Sequence, residues 1–597
     1  MLVEHLAASP NPQFSRPGWA DLCGKWRFQF DDKDTGIRER WFMQPERLDR
    51  TIQVPYPPES SLSGIDDKSY HPIAWYARAL ADTRSDPAER LIVHFGAVDY
   101  HATVWVDGVQ VGEHRGGNTP FHFDVADALD PNHAEHWIVV RAHDDPLDAE
   151  QPRGKQDWLP EPHVIWYHRT SGIWQPVWTE VTPPTRILSV RWRFDAVRSL
   201  VDYEVELNRQ PETGTTLRID LEFEGELIST VTATCTSRVS AGQMNLGSAR
   251  RTMQPGRLLW SIENPNLIGA TLTLHEGSNQ DVVQSYLGLR AIELSGRKFL
   301  INGRSIFLRF VLNQGYWPDS QLTAPSPDAL KREVELIKEL GFNGARTHQK
   351  IEDPRFLYWA DRLGLLLWGE TANAFTFSER AIDRHLDEWR EAVLRDRNHP
   401  SVIAWVPFNE SWGVNELGGS EAQQHAVKTA YHRTHTLDGT RPVIGNDGWE
   451  NVIGDLFTIH DYQWDPQVLR DRYSNESQLP ATVATFFPGA RHLVASDFET
   501  AGKPVMVTEY GGVSYAPDSE EEWFGYGKVG SQEEFAQKYW ALTDALLESD
   551  LICGFCYTQL TDTEQETNGL LNADRTPKLP FERLSAITRG EDLDGPS

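Results

Sequence analysis

Apolar and polar positions follow three successive rhythms along the 597-residue chain. Up to about residue 182 the chain reads as short alternating runs separated by turn residues, the pattern of half-buried strands. Residues 91–95 and 102–106 predict strands, Asp107-Gly108 a hairpin turn, and residues 109–112 the return strand. Residues 116–120 predict a loop, and 121–125 alternate again. This spacing predicts a β-sandwich of the jelly-roll kind over residues 1–182. Pro183-Pro184 marks a boundary. Over residues 183–292, strict alternation at 201–207 and 217–223 predicts a second, immunoglobulin-like β-sandwich.

Beyond Leu294 the period changes. Residues 305–311 predict a strand, and Ser326 predicts an N-cap with Pro327 at the first helical position. Leu330, Val334, Ile337 and Leu340 then share one helical face, and Gly341 ends it. Further strands are predicted at 342–346, 365–368 and 552–557, and Ser531 with Glu534 predicts a capping box for a late helix. Alternation of this kind over residues 293–597 matches one (β/α)₈ TIM barrel in length.

Two strands of that barrel end alike. Val402-Ile403-Ala404-Trp405-Val406 runs through Pro407-Phe408 into Asn409-Glu410, and Val505-Met506-Val507-Thr508 runs into Glu509. An apolar run of strand length that turns abruptly polar predicts a strand covered on both faces. Its polar residues then stand at the carboxyl end, where barrels place their chemistry. Two such strands predict a pair of carboxylates on one rim.

Charge and composition narrow the partners. A net charge of −30 and a pI near 5.1 exclude nucleic acid and anionic membranes as expected partners. No apolar stretch reaches membrane-spanning length, and the opening residues lack a signal-peptide pattern, so a cytoplasmic protein is expected, with homo-oligomers left open. The 22 tryptophans suit sandwich cores and also the C–H faces of sugars. The four cysteines form no disulfide framework, and Cys553 and Cys556 fall within a predicted strand rather than at a helix start. The histidines show no metal-ligand spacing. No metal and no cofactor are expected.

Several motifs carry a resemblance over nearly the whole chain. They include Trp75-Tyr76 and Ser171-Gly172-Ile173-Trp174-Gln175-Pro176-Val177-Trp178 in the first sandwich. In the barrel they include Gly341-Phe342-Asn343-Gly344-Ala345-Arg346-Thr347, Arg397-Asn398-His399-Pro400-Ser401, Asn409-Glu410 and Thr508-Glu509-Tyr510. In these the chain resembles glycoside hydrolase family 2, which includes β-galactosidases, β-glucuronidases and β-mannosidases. The resemblance implies a sugar-binding jelly roll, an immunoglobulin-like domain and a catalytic barrel, in the order read above.

It also implies roles. Glu410 matches the general acid/base and Glu509 the nucleophile of a retaining β-glycosidase. Glu410 is then expected to hold its proton near neutral pH, raised by the negative charge of Glu509. Arg346 is placed to hydrogen-bond Glu509, Asn409 to bind the 2-hydroxyl, and His460 and Tyr462 to follow the sixth strand toward the nucleophile. Trp412, Trp464 and Asp447 are candidates for the pocket wall, and Trp166 and Arg169 for a jelly-roll loop reaching the barrel mouth. Three stretches depart from the family pattern. His348-Gln349-Lys350-Ile351 replaces Ser-His-Tyr-Pro, which makes His348 and Lys350 candidate substrate contacts. Tyr557 stands where a Trp is common. Glu566-Thr567-Asn568-Gly569 stands where β-glucuronidases carry an Asn-x-Lys motif. These departures leave the sugar open. The expected activity is an exo-acting retaining β-glycosidase, β-galactosidase-like first. The alternatives are β-glucuronidase, β-mannosidase, galactofuranosidase or arabinosidase. The different-class alternative is a non-catalytic carbohydrate-binding protein.

Overall fold

The computed structural model describes residues 2–246, 256–495, 497–516 and 526–591. Its first sandwich faces a six-stranded antiparallel sheet against a four-stranded one. The larger sheet runs Arg50–Val54, Gly24–Phe30, Ile73–Leu80, His136–His143, His101–Val106, Val109–Arg115. The smaller sheet runs Ala20–Asp21, Val177–Thr182, Arg90–Phe95, Phe121–Asp124. The predicted hairpin at Asp107-Gly108 forms, both residues taking positive φ (48° and 79°) as a type I′ turn requires. The core between the sheets is continuous and apolar, from Trp26 and Phe28 to Val140 and Val177. The second sandwich packs a three-stranded sheet on a four-stranded one around Val201, Val205, Leu217, Ile219 and Leu272. Strict alternation in Leu200–Leu207 and Thr216–Phe223 is the reason: every second side chain faces that core.

The barrel strands are all parallel. We number them β1 Leu308–Asn313, β2 Gly344–Thr347, β3 Leu366–Glu370, β4 Val402–Val406, β5 Asn446–Asp447, β6 Phe457–Asp461, β7 Val505–Gly511 and β8 Ile552–Thr558. Seven pair in the order β4-β3-β2-β1-β8-β7-β6. Strand β5 spans the remaining gap. It pairs with Phe408–Asn409, the continuation of β4, and the N–H of His460 on β6 donates to the Gly448 carbonyl at 3.1 Å. The predicted alternation of layers follows the sequence of β4. Val402 and Trp405 join the layer between sheet and helices, while Ile403, Ala404 and Val406 fill the barrel interior.

Local signals act largely as read. The Ser326 side chain accepts from the Ala329 N–H and starts the helix Pro327–Glu339, and Gly341 takes φ +87° beyond its end. Ser531 caps Gln532–Leu547, but the return bond of the predicted box is displaced by one residue: the Glu534 carboxylate accepts from Gly530 N–H at 2.7 Å. The run 305–311 is not one strand. Arg304–Ile306 closes a small antiparallel sheet with Lys298–Ile301, and β1 begins only at Leu308. Phe307 is the break, its carbonyl taken by the Asn343 side chain at 2.8 Å. Among the described residues no helix is long and apolar enough to cross a membrane.

Candidate active site

The carboxyl ends of β2, β4, β6 and β7 converge on one charged group. Strand β4 ends at Pro407, which has no N–H to continue a ladder. The next turn is built by Asn373, whose side-chain amide donates to the Pro407 carbonyl (2.9 Å) and accepts from the Asn409 N–H (3.0 Å). Glu410 and Ser411 then both adopt left-handed backbone, φ +54° and +59°. That conformation is uncommon for side-chain-bearing residues and persists only where surroundings impose it. Here the Glu410 N–H is held by the Asp447 carbonyl (2.9 Å) and the Ser411 N–H by Asn446 (3.0 Å). The result turns the Glu410 carboxylate into the mouth of the barrel.

Glu509 arrives from β7, opposite His460 in register. Its two oxygens are held separately, by the Tyr462 hydroxyl at 2.5 Å and by Arg346 Nη1 at 3.1 Å. One oxygen from each glutamate and a ring nitrogen of His460 all lie within 4.8 Å of one another. Beneath them Arg346, fully buried on β2, also pairs with Glu370 (2.5 Å) and Asp447 (2.9 Å) and donates from Nη2 to Asn409 Oδ1 (2.9 Å). That bond fixes the Asn409 amide with its own NH₂ turned away from the arginine. Asp447 is not a pocket wall. It is fully buried and also accepts from Thr508 Oγ1 at 2.8 Å.

His460 bridges the pair, its Nδ1 2.8 Å from Glu410 and its Nε2 3.1 Å from Asp447 and 3.4 Å from Glu509. Burial opposes its positive charge, but Glu509 and Asp447 outweigh burial and push the imidazole up to about 10. It is therefore an imidazolium near neutral pH. Glu410 departs from expectation. Burial raises its carboxyl, yet the hydrogen bond and charge of His460, with Lys155 and His348 behind, hold it below the ordinary value. The proton expected on Glu410 rests on His460 in the free site. His348 stands beside Arg346 and is itself 3.0 Å from Glu370.

Aromatic rings line the rim. Trp412 meets Trp166 edge-on at 5.0 Å, and Trp166 meets Trp158, so a jelly-roll loop and the β4 loop build one wall with Phe375. Tyr526 stacks on Tyr462, ring centroids 3.3 Å apart. Trp464 supports that stretch from outside: its ring leaves no room for a Cβ at Gly527 and faces the Lys538 ammonium at 4.5 Å.

Three expected contacts are not brought to this group. Lys350 is buried and ion-paired to Glu352 at 2.5 Å, in a cleft lined by Trp174, Trp317 and Leu330. Arg169 lies over the Tyr70 ring at 4.6 Å and faces Glu59. Tyr557 points outward from β8 into the layer beneath Gln532–Leu547, packed on Tyr510 and Tyr539. The next residue reaches the site instead, the Thr558 hydroxyl lying 3.1 Å from that of Tyr462. Sequence reasoning missed Lys155, which acts on both Glu410 and Glu566. The signal was present in Arg153-Gly154-Lys155, a glycine between cations on the same loop as Trp166.

With this geometry in view, comparison with known proteins adds a family. Residues 292–587 match the family described as glycosyl hydrolases family 2, TIM barrel domain, and residues 19–145 match its sugar binding domain. A β-glucuronidase of Canis lupus familiaris is 25% identical over 533 residues, 83% of this chain and 78% of its own. One of Paenibacillus borealis is 25% identical over 616 residues, 94% of this chain and 96% of its own. A β-galactosidase of Thermoanaerobacter pseudethanolicus is 26% identical over 457 residues, 74% of this chain and 56% of its own. The solved β-glucuronidase of Ruminococcus gnavus in complex with D-glucuronic acid shares the fold, with a TM-score of 0.77 at 19% identity over 97% of this chain and 98% of that one.

Proposed function

The chain belongs to family 2 of the glycosyl hydrolases, and from that premise we propose that it removes a terminal β-linked sugar by double displacement, with Glu410 as general acid/base and Glu509 as nucleophile. The observation that carries this reading is the separation of the pair, whose nearest oxygens lie within 4.8 Å. Retaining pairs stand about 5–5.5 Å apart, whereas an inverting pair needs roughly 6.5–9.5 Å to admit a water.

The surrounding groups give each step a physical cause. Tyr462 and Arg346 hold both oxygens of Glu509, so the carboxylate meets the anomeric carbon in one orientation. The leaving oxygen needs a proton as its bond breaks. His460 supplies it along the 2.8 Å bond to Glu410, which hands it on. Once glycosylated, Glu509 no longer carries one of the charges that sustain the imidazolium, which eases the loss of its proton. Glu410 then takes a proton from the incoming water, and release of Glu509 restores the imidazolium. The Asn409 NH₂, freed by the Arg346 bond, is available to the 2-hydroxyl, whose contacts strengthen in the transition state.

For the sugar we favour a β-D-glucuronide, because the similar relatives are mostly named β-glucuronidases. This reverses the order of the sequence reading, which put a β-galactoside first. A β-galactoside is the second reading, favoured by one observation: the buried carboxylate of Glu566 occupies the loop where the Asn-x-Lys motif is absent.

A panel of nitrophenyl β-glycosides tests the sugar, with the glucuronide expected fastest. Azide tests the roles. Glu410→Ala and Glu509→Ala each lose about 10²–10⁴-fold in turnover or more. With azide, Glu410→Ala is expected to give the β-glycosyl azide and Glu509→Ala the α-azide, told apart by anomeric proton coupling. Swapped products would reverse the assignment, and a panel without any turnover would favour a binding protein.

A further inference from the structure

One cation at the barrel mouth acts on Glu410 and Glu566 from beyond ion-pair distance. Lys155 is half-buried on the jelly-roll loop. Among the described residues its ammonium meets no carboxylate at ion-pair distance and stands 5.8 Å from the centre of the Tyr167 ring. Elsewhere in this mouth the cations are committed. Arg346 serves three carboxylates. Lys578, which reaches the loop after β8, is spent on Asp562 (2.7 Å) and the Thr567 carbonyl (2.8 Å).

The position of Lys155 is built, not incidental. The N–H groups of Arg153 and Gly154 both donate to the Asn373 carbonyl, at 3.2 and 3.0 Å. Asn373 is the residue that shapes the turn into Glu410. Gly154 takes φ +59°, and a Cβ there would lie 2.2 Å from the Gln349 carbonyl oxygen, so only glycine lets the loop come this close. On the other side Tyr167 donates its N–H to the Lys155 carbonyl (2.9 Å) and its hydroxyl to Glu566. Lys155 is thereby held between the Glu410 turn and the loop after β8. On that loop both amide atoms of the fully buried Asn568 lack a protein partner. An ammonium drawn partly out of water without an anion is unfavourable, and an arriving anion relieves it.

We propose that Lys155 is the specificity-determining cation of this site, receiving the carboxylate of a uronic-acid sugar, so that anion recognition is delivered by the jelly roll and not by the barrel. This rests on the uronide reading above. Burial raises the Glu566 carboxyl above its ordinary value, against the pull of Lys155 and the Tyr167 hydroxyl.

The test uses the full chain with Lys155→Met, Lys155→Gln and Lys155→Arg, measuring kcat and KM on 4-nitrophenyl β-D-glucuronide and 4-nitrophenyl β-D-galactoside, with melting temperature as the check on folding. Both neutral variants are expected to lower the glucuronide-to-galactoside ratio of kcat/KM by at least about 30-fold, mainly through KM, since the contact is made in ground and transition states alike. The arginine variant should recover part of that ratio, because it keeps the charge. If the unmodified protein cleaves the glucuronide and the folded neutral variants keep its ratio within about threefold, the role of Lys155 is overturned and the uronide reading stands. If the unmodified protein cleaves the galactoside and no uronide, the reading falls and the inference with it.

Discussion

The floor and the rim of this site handle charge in opposite ways. On the floor each cation has its anions: Arg346 is matched by Glu370, Asp447 and Glu509, and His460 by Glu410 and Asp447. On the rim, among the described residues, Lys155 meets no carboxylate at ion-pair distance, and its ammonium stands 5.8 Å from the centre of the Tyr167 ring. A compensated network resists change in any one member, because deleting a partner leaves buried charge behind. An uncompensated charge tolerates substitution and responds to whatever arrives. The difference assigns reaction chemistry to the barrel floor and sugar choice to a loop lent by the first sandwich.

The largest expected effect comes from breaking the floor. Arg346→Met strands Glu370 and Asp447 in a dry interior, and about 3–5 kcal/mol of stability should go with it, along with measurable turnover. Urea denaturation and residual kcat check this. Arg346→Lys should restore stability in part but not the forked geometry. A loss under ~1 kcal/mol would mean the network is looser than drawn and the contrast with the rim fails.

A subtler effect separates the floor by pH. His460 is raised in the folded protein to about 10, against about 6.5 in an unfolded chain. Its contribution is therefore fully present below roughly pH 6.5 and is lost as pH climbs through 10. Asp447 and Glu410 lie below their ordinary values and stay ionised across that window. The melting-temperature gap between the unmodified protein and His460→Gln should be widest near pH 6 and narrow steadily toward pH 10. A gap that does not vary with pH would remove the imidazolium from this picture.

The smallest effect is expected from a residue that belongs to neither region. Tyr557 lies on the outer face of β8, so Tyr557→Phe should keep kcat/KM within about threefold. A larger loss on any substrate would pull β8 back into the site.

These outcomes also mark what could be read from the chain. The strand-end glutamates were legible because an apolar run that turns polar is a local pattern, and Ser326 and Asp107-Gly108 were legible for the same reason. The choice between Lys350 and Lys155 was not. Both are lone lysines in loops, and only the packing of two domains decides that one meets Glu352 and the other faces the mouth. Tyr557 was misplaced by one residue of register, which on a strand exchanges the two faces. The proton on His460 depends on carboxylates from three other strands, and no local spacing announces that.

The bond between Tyr167 and Glu566 joins residues 399 positions apart. At about 5–20 residues per second, a ribosome needs on the order of 20–80 s to travel between them. During that interval the loop that selects the sugar is already made while the strand bearing Glu509 and the wall beyond it have yet to emerge. A chain that ends before Glu509 carries Lys155 without the nucleophile or the loop after β8 that holds Tyr167, so it should be silent toward every substrate.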